Sequence, residues 1–182
     1  MSISIKSPAD FHVHLRQGSI SKLVTTHVRM GGFHLAYVMV SIKEKKKKET
    51  NSDSQSKPNL KPPITSTEQA LKYKADLQRI DPDVQYLMTL YLSPELTPDE
   101  IRKAKEAGIV GTFSNLSREK DVLDRLIGVK SYPRGVTTNS DGGIESYEAY
   151  YPVFEAMQEV DMVLNLHGEV HSDAAAVGFP SP

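Results

Sequence analysis

The stretch VQYLMTLYLSPELTPDEIRKAKEAG, residues 84–108, carries the fold in miniature. Its first nine residues, Val84–Leu92, form a largely apolar run without a charge, which reads as a strand buried on both faces. After a four-residue link, Thr97-Pro98-Asp99-Glu100 combines a capping hydroxyl, a proline at the first helical position and a glutamate three residues after the cap. The helix it opens is expected to stop at Gly108, a residue suited to a left-handed C-cap. A buried strand followed closely by a helix is the repeating unit of a parallel sheet, whose strands need long crossovers.

The same unit recurs on both sides. Upstream, Phe11–Leu15 alternates like a short strand, and Ser21–Met30 places Leu23, Val24, His27 and Met30 at helical spacing. His34–Val40 reads as a strand. Thr65-Ser66-Thr67-Glu68 is a capping-box pattern opening a helix with Ala70, Leu71, Leu77 and Ile80 near one face. Downstream, Val129–Tyr132 is strand-like, Ser146 is placed to cap a helix striped with Tyr150, Val153, Phe154 and Met157, and Met162–His167 is a further strand. Five strands, at 11–15, 34–40, 84–92, 129–132 and 162–167, alternating with helices, predict an α/β chain with a parallel sheet. Pattern leaves two closures open, a doubly wound sheet or a (β/α) barrel. A complete barrel takes ~250 residues, so a barrel of 182 residues is unfinished.

Composition excludes several classes. Twenty-two Lys and Arg against 23 Asp and Glu leave no net field to attract nucleic acid or an anionic membrane. The absence of Cys removes disulfides, thiolate zinc sites and a Cys nucleophile. No apolar run approaches the ~20 residues of a membrane span, and Met1–Lys6 lacks a signal-peptide apolar region. The expectation is a soluble, cytoplasmic protein.

Four groups of residues can do chemistry. In Asp10-Phe11-His12-Val13-His14, alternate strand residues share a face, so His12 and His14 can offer two imidazoles to one metal ion. The same pattern also suits two polar residues at a strand end. Leu164-Asn165-Leu166-His167-Gly168-Glu169 ends another apolar strand in a histidine. Parallel strand ends gather on one rim, so His12, His14 and His167 would converge, and three imidazoles suit zinc. Otherwise His167 is a satisfied core histidine. Lys130 lies on a short strand, where burial of its ammonium is costly unless its pKa falls. A neutral buried amine can take up carbon dioxide as a carbamate, whose two oxygens can bridge two metal ions; the alternative is a lysine at a strand edge. Arg16 offers a planar fork for a carboxylate, and Asn59 in Pro58-Asn59-Leu60 can donate to the same group.

In combination, DFHVHLRQG at 10–18, PNLKPPIT at 58–65, YLMTLYL at 86–92, VKSYPRGVTTNS at 129–140 and LNLHGEV at 164–170 resemble dihydroorotase of the separate-enzyme type found in bacteria and fungi, an amidohydrolase. The resemblance implies an incomplete TIM-type (β/α)8 barrel, about five of eight strands, with residues 1–182 as the front portion. It implies two zinc ions: His12 and His14 on the more buried one, carboxylated Lys130 bridging both, and His167 on the second. It places Arg16 and Asn59 on the substrate carboxylate and Thr137 and Thr138 at the tip of a loop that closes over substrate. The implied reaction is reversible cyclisation of N-carbamoyl-aspartate to dihydroorotate in pyrimidine synthesis, and the family is commonly homodimeric.

The chain departs from that pattern in three places. Residues 40–57, with the run Lys45–Lys48, separate the second strand from Pro58 and are expected to be a disordered insert. Residues 112–128 stand between Gly111 and Val129 as a second insert. Residues 171–182 leave the family pattern, and the strands carrying a further histidine ligand and a proton-shuttle aspartate are absent. Removing each insert restores the pattern without a gap, as translated introns would. The expected consequences are open sheet edges, weak folding, an incomplete second metal site and negligible catalysis by the chain alone. Two rival readings are a dihydropyrimidinase-like amidohydrolase, against which Arg16, Asn59, Thr137 and Thr138 argue because they suit a carboxylate, and a non-catalytic chain acting through a binding partner.

Overall fold

The computed structural model describes residues 8–39, 64–107, 128–134 and 143–168. Among the described residues five strands alternate with four helices: β1 (Ala9–Val13), α1 (Gly18–Met30), β2 (Leu35–Val38), α2 (Thr67–Ile80), β3 (Gln85–Tyr91), α3 (Pro98–Glu106), β4 (Gly128–Ser131), α4 (Tyr151–Glu159, entered through a 3-10 turn at Glu148–Tyr150) and β5 (Val163–Leu166). The strand order is β1-β2-β3-β4-β5, every pair parallel. A doubly wound sheet reverses order at a switch point; this sheet never does.

The sheet is curled. The amide of Asn165 on β5 donates to Tyr37 Oη on β2 at 2.8 Å. Three strand spacings separate these strands, about 14 Å in a flat sheet, so only strong curvature lets the two side chains meet. This is an incomplete TIM-type barrel. Its central strands β2 and β4 are buried at every position, as is β3 beyond Gln85.

Local signals start the helices, although the cap of α2 is Ser66 with Gln69, one residue later than the Thr65–Glu68 pattern predicts. Ser66 Oγ accepts from the Gln69 N–H, and Thr97 Oγ1 accepts from the Glu100 N–H with Pro98 in the first turn. Each such cap is worth about 1 kcal/mol. The two caps also meet, because Glu100 Oε1 accepts from the Thr67 N–H. Ser146 does not cap α4 itself; its Oγ accepts from the Glu148 N–H, at the 3-10 turn before it.

Some expectations need correction. The stripe Leu23, His27 and Met30 on α1 is exposed, and Ser21, Thr25 and Val28 are buried instead. On α2 the buried stripe is Ala70, Tyr73 and Leu77, with Leu71 exposed. The pairing of β1 with β2 shifts register between Asp10 and Val13, so strict alternation fails there. β4 opens at Gly128, assigned above to the second insert. A glycine stands at each end of that insert, Gly111 and Gly128, and the one in the strand is Gly128. The rest of 112–127, residues 40–57 and 171–182, and the Gly108 cap lie outside the described residues.

Gly128 is where the curl is tightest. A Cβ there would come to 1.9 Å from Tyr37 Oη, 2.3 Å from Asn165 Nδ2 and 2.9 Å from the Val163 carbonyl oxygen. Overpacking of this kind costs about 1–3 kcal/mol. Gly128→Ala is expected to lower the urea-unfolding stability by that amount or more; an unchanged midpoint would show that the curl does not depend on this contact.

Candidate functional site

Parallel strands direct all their carboxyl ends to one rim, and the candidate residues come from three of them. At the end of β1, the His12 and His14 rings lie 5.5 Å apart, inclined at 65°. The His12 N–H donates to Asp10 Oδ1 at 3.0 Å, fixing the strand end despite the register shift. The β1–β2 ladder runs one residue further, from Met39 N–H to the Val13 carbonyl at 2.8 Å, and the His14 side chain hydrogen-bonds the Met39 backbone. β4 supplies Lys130, two residues past Gly128 on the same face and only 2% exposed. His167 follows β5, its N–H continuing the ladder to the Ser131 carbonyl at 3.1 Å.

Lys130 Nζ donates to the Leu166 carbonyl at 3.3 Å and lies 5.0 Å from the centre of the Tyr132 ring. The Tyr132 ring is in turn 5.3 Å from that of His167. Among the described residues no carboxylate pairs with Lys130. Burial therefore pushes its pKa down, favouring the neutral amine. Burial, His12, Arg16 and Lys130 together press the His14 pKa down to about 4. His12 is also lowered, by desolvation first, then by Lys130 and His167. These couplings bring His12, His14, Lys130 and His167 into one electrostatic neighbourhood. Neutral imidazole and deprotonated amine are the forms that bind metals and carbon dioxide.

Arg16 sits beyond the buried Leu15 with a left-handed backbone, φ 55°. Its carbonyl accepts a hydrogen bond from Tyr73 Oη on α2. The guanidinium is near enough to His14, Tyr73 and Tyr132 to influence all three. Asn59, Thr137 and Thr138 lie outside the described residues. The base of the loop containing Thr137 and Thr138 is described: Pro133 bridges Ile144, the Ile144 N–H donates to the Tyr132 carbonyl at 2.7 Å, and the Arg134 N–H donates to the Ile144 carbonyl at 3.0 Å. The loop thus springs from beside Lys130.

Sequence reasoning missed Tyr73, Tyr132 and Asn165. Tyr73 falls on the stripe 70, 73, 77, and Tyr132 and Asn165 stand two residues from Lys130 and His167, the spacing that shares a strand face.

Among the described residues, no group of three or more His, Asp or Glu side chains is gathered closely enough to hold a metal ion. The donor set that does come together is the histidine pair with a lysine. Two imidazoles on one tetrahedral zinc have ring centres about 5 Å apart, so the spacing of His12 and His14 fits shared ligation. No described helix is long and apolar enough to cross a membrane.

A parallel half-barrel with histidines and a buried lysine on its carboxyl rim defines the class, an amidohydrolase-type barrel present in part. The particular proteins the chain is similar to, over nearly its whole length, are dihydroorotases. It is 53% identical over 174 residues to the dihydroorotase of Mycosarcoma maydis, covering 96% of this chain and 35% of that protein. It is 39% identical over 169 residues to that of Saccharomyces cerevisiae, covering 92% and 37%. The crystal structure of the Saccharomyces cerevisiae enzyme in complex with 5-fluoroorotic acid superposes with a TM-score of 0.67 at 40% identity, covering 90% of this chain and 37% of that one. The Campylobacter jejuni dihydroorotase gives 0.63 at 28%, covering 91% and 39%. No protein-family model matches the chain. The chain spans about 35–40% of the length of the curated relatives it matches.

Two outcomes are expected of the metal-free chain in chelator. Lys130→Met, which removes a buried amine at similar volume, raises unfolding stability by about 1 kcal/mol or more; a loss would mean the amine is structurally satisfied. Second, the unfolded chain protonates His14 near pH 6.5 and the folded chain only near pH 4. In that window the unfolded state binds more protons, so stability is full above pH 6.5 and falls as pH drops toward 4. His14→Asn should flatten the profile measured by urea unfolding.

Proposed function

We propose that this chain forms the metal-binding part of a dihydroorotase, the zinc-dependent enzyme that reversibly cyclises N-carbamoyl-aspartate to dihydroorotate in pyrimidine synthesis. The observation that supports the reading is the His12–His14 ring pair, 5.5 Å apart at the end of β1, in a curled parallel sheet similar to dihydroorotases that also carries the buried Lys130.

In this reading His12 and His14 hold one zinc ion and His167 the other. The neutral Lys130 amine could add carbon dioxide and lose a proton, and the resulting carbamate anion would serve as a further oxygen ligand for the metal. Its burial supports this, since desolvation favours the unprotonated amine that the addition requires. When bound, the pair of zinc ions supplies an activated water and polarises the amide carbonyl. Arg16 holds the substrate carboxylate through its planar fork, joined by Asn59, and Thr137 and Thr138 close over it from the loop based at Pro133 and Ile144. Tyr132 walls the Lys130 amine from solvent on one side.

In this reading residues 40–57 and the part of 112–128 that precedes Gly128 are insertions, and the proton-shuttle aspartate belongs to the part of the relatives this chain does not span. The chain alone therefore binds zinc without turnover. Calorimetric titration is expected to show zinc binding that His12→Ala with His14→Ala weakens at least 100-fold and that Lys130→Ala also weakens. Measurable zinc-dependent hydrolysis of dihydroorotate by the purified chain, or zinc affinity indifferent to these changes, would contradict the assignment.

A further inference from the structure

In Met162-Val163-Leu164-Asn165-Leu166, one polar side chain interrupts an apolar run. An amide turned into the curl of a sheet costs free energy unless its hydrogen bonds are made. Asn165 Nδ2 donates to Tyr37 Oη at 2.8 Å and to the Val129 carbonyl at 3.3 Å. That carbonyl can only accept, so the amide nitrogen, not its oxygen, faces it. Val129 precedes Lys130, and Lys130 is the register partner of Asn165. The next carbonyl along β5, that of Leu166, accepts from Lys130 Nζ at 3.3 Å. β5 thus grips Lys130 at both ends, its backbone through the Asn165 side chain and its amine through the Leu166 backbone. The buried Tyr37 fixes the amide from across the curl.

We infer that Asn165, aimed by Tyr37, is a positioning residue for the Lys130 amine. Both act on Nζ through the placement of β5. A lysine stem is flexible and has no shape of its own. The described groups that hold Nζ are the Leu166 carbonyl and the face of the Tyr132 ring, 5.0 Å away at its centre. If β5 slides or tilts from β4, that carbonyl leaves. His167, whose N–H is bonded to the Ser131 carbonyl, leaves with it. One amide therefore sets the spacing between the amine and a candidate ligand on the next strand. A leucine at 165 would fill similar space and tie nothing to Val129. The inference deepens the reading of Lys130 as a ligand-bearing amine and rests on it for its chemical purpose, while the geometry it asserts belongs to the metal-free chain.

The test is NMR of the full chain in chelator with isotope-labelled lysine, the Lys130 signal being assigned by its loss in Lys130→Met. In the parent, the Tyr132 ring face should displace the Lys130 ε-methylene upfield of ordinary lysines. Asn165→Leu, and the milder Tyr37→Phe, should each remove at least half of that displacement. Tyr37→Phe combined with Asn165→Leu separates positioning from packing. Replacing both hydrogen-bond partners by apolar groups is close to neutral for stability, so urea unfolding should recover toward the parent while the Lys130 displacement stays lost. Calorimetric zinc affinity should fall about 10-fold in Asn165→Leu, the scale of a lost support behind a ligand. An undisplaced parent signal, full displacement in all three variants, or its recovery together with stability in the combined variant would each overturn the inference. A parent that binds no zinc counts against the metal-centre reading alone, since the lysine signal is read without metal.

Discussion

A lysine amine kept out of water inside a narrow parallel sheet is the constraint around which the rest of this molecule is arranged. Burying an ammonium is costly unless it is paired, and the described surroundings of Lys130 provide a carbonyl and a ring face but no carboxylate. The chain accepts the cost through geometry. Gly128, two residues earlier on the same face, leaves the space in which Tyr37 and Asn165 meet. That contact draws β2 and β5 together, and the resulting curl puts Lys130 just above a filled layer, facing the rim where the strand ends gather. A flat sheet of the same strands would leave the amine in solvent and the histidines far apart.

The rim is organised by supports that lie outside the ligand set. Three of the four strand ladders extend a residue beyond the strand, through Met39, Leu92 and His167, so side chains at the mouth stand on hydrogen-bonded backbone. Tyr73 reaches from α2 to the Arg16 carbonyl and holds a backbone conformation that non-glycine residues rarely adopt. At Gly143 a Cβ would come to 2.5 Å from the Tyr132 carbonyl oxygen, so glycine is what lets the loop base close against the strand that bears Lys130. Strain and close approach thus concentrate beside the candidate chemistry, where they are most often retained.

Strand and helix existence was legible because periodicity, capping residues and uninterrupted apolar runs are local signals: Ser66, Thr97 and Val84–Leu92 all behave as their neighbours in sequence dictate. The candidate ligands were legible because the same-face rule of strands needs no tertiary information. What was hidden depends on partners distant in sequence. The order of the strands, which decides between a doubly wound sheet and a barrel, rests on pairings distant in sequence, and the curvature shows in the Tyr37–Asn165 contact. The α1 stripe misled for the opposite reason: an apolar face predicts burial against something, and Leu23 and Met30 lie at an open edge. Gly128 was ambiguous because either of two glycines could start the strand, and only pairing with Thr89 and Val163 decides it.

Similarity to dihydroorotases over about 35–40% of their length means that the chain presents one side of a barrel, with a candidate site at the ends of its strands. Whether that side is chemically prepared rests on where zinc goes. Crystals of the chain grown with zinc and bicarbonate, with diffraction collected across the zinc absorption edge, give the most direct answer. The account predicts an anomalous peak within bonding distance of both His12 and His14, with density for a carboxyl group extending from Lys130 Nζ toward it. Zinc bound elsewhere, or a bare Lys130 amine beside an ion held without these histidines, would contradict it.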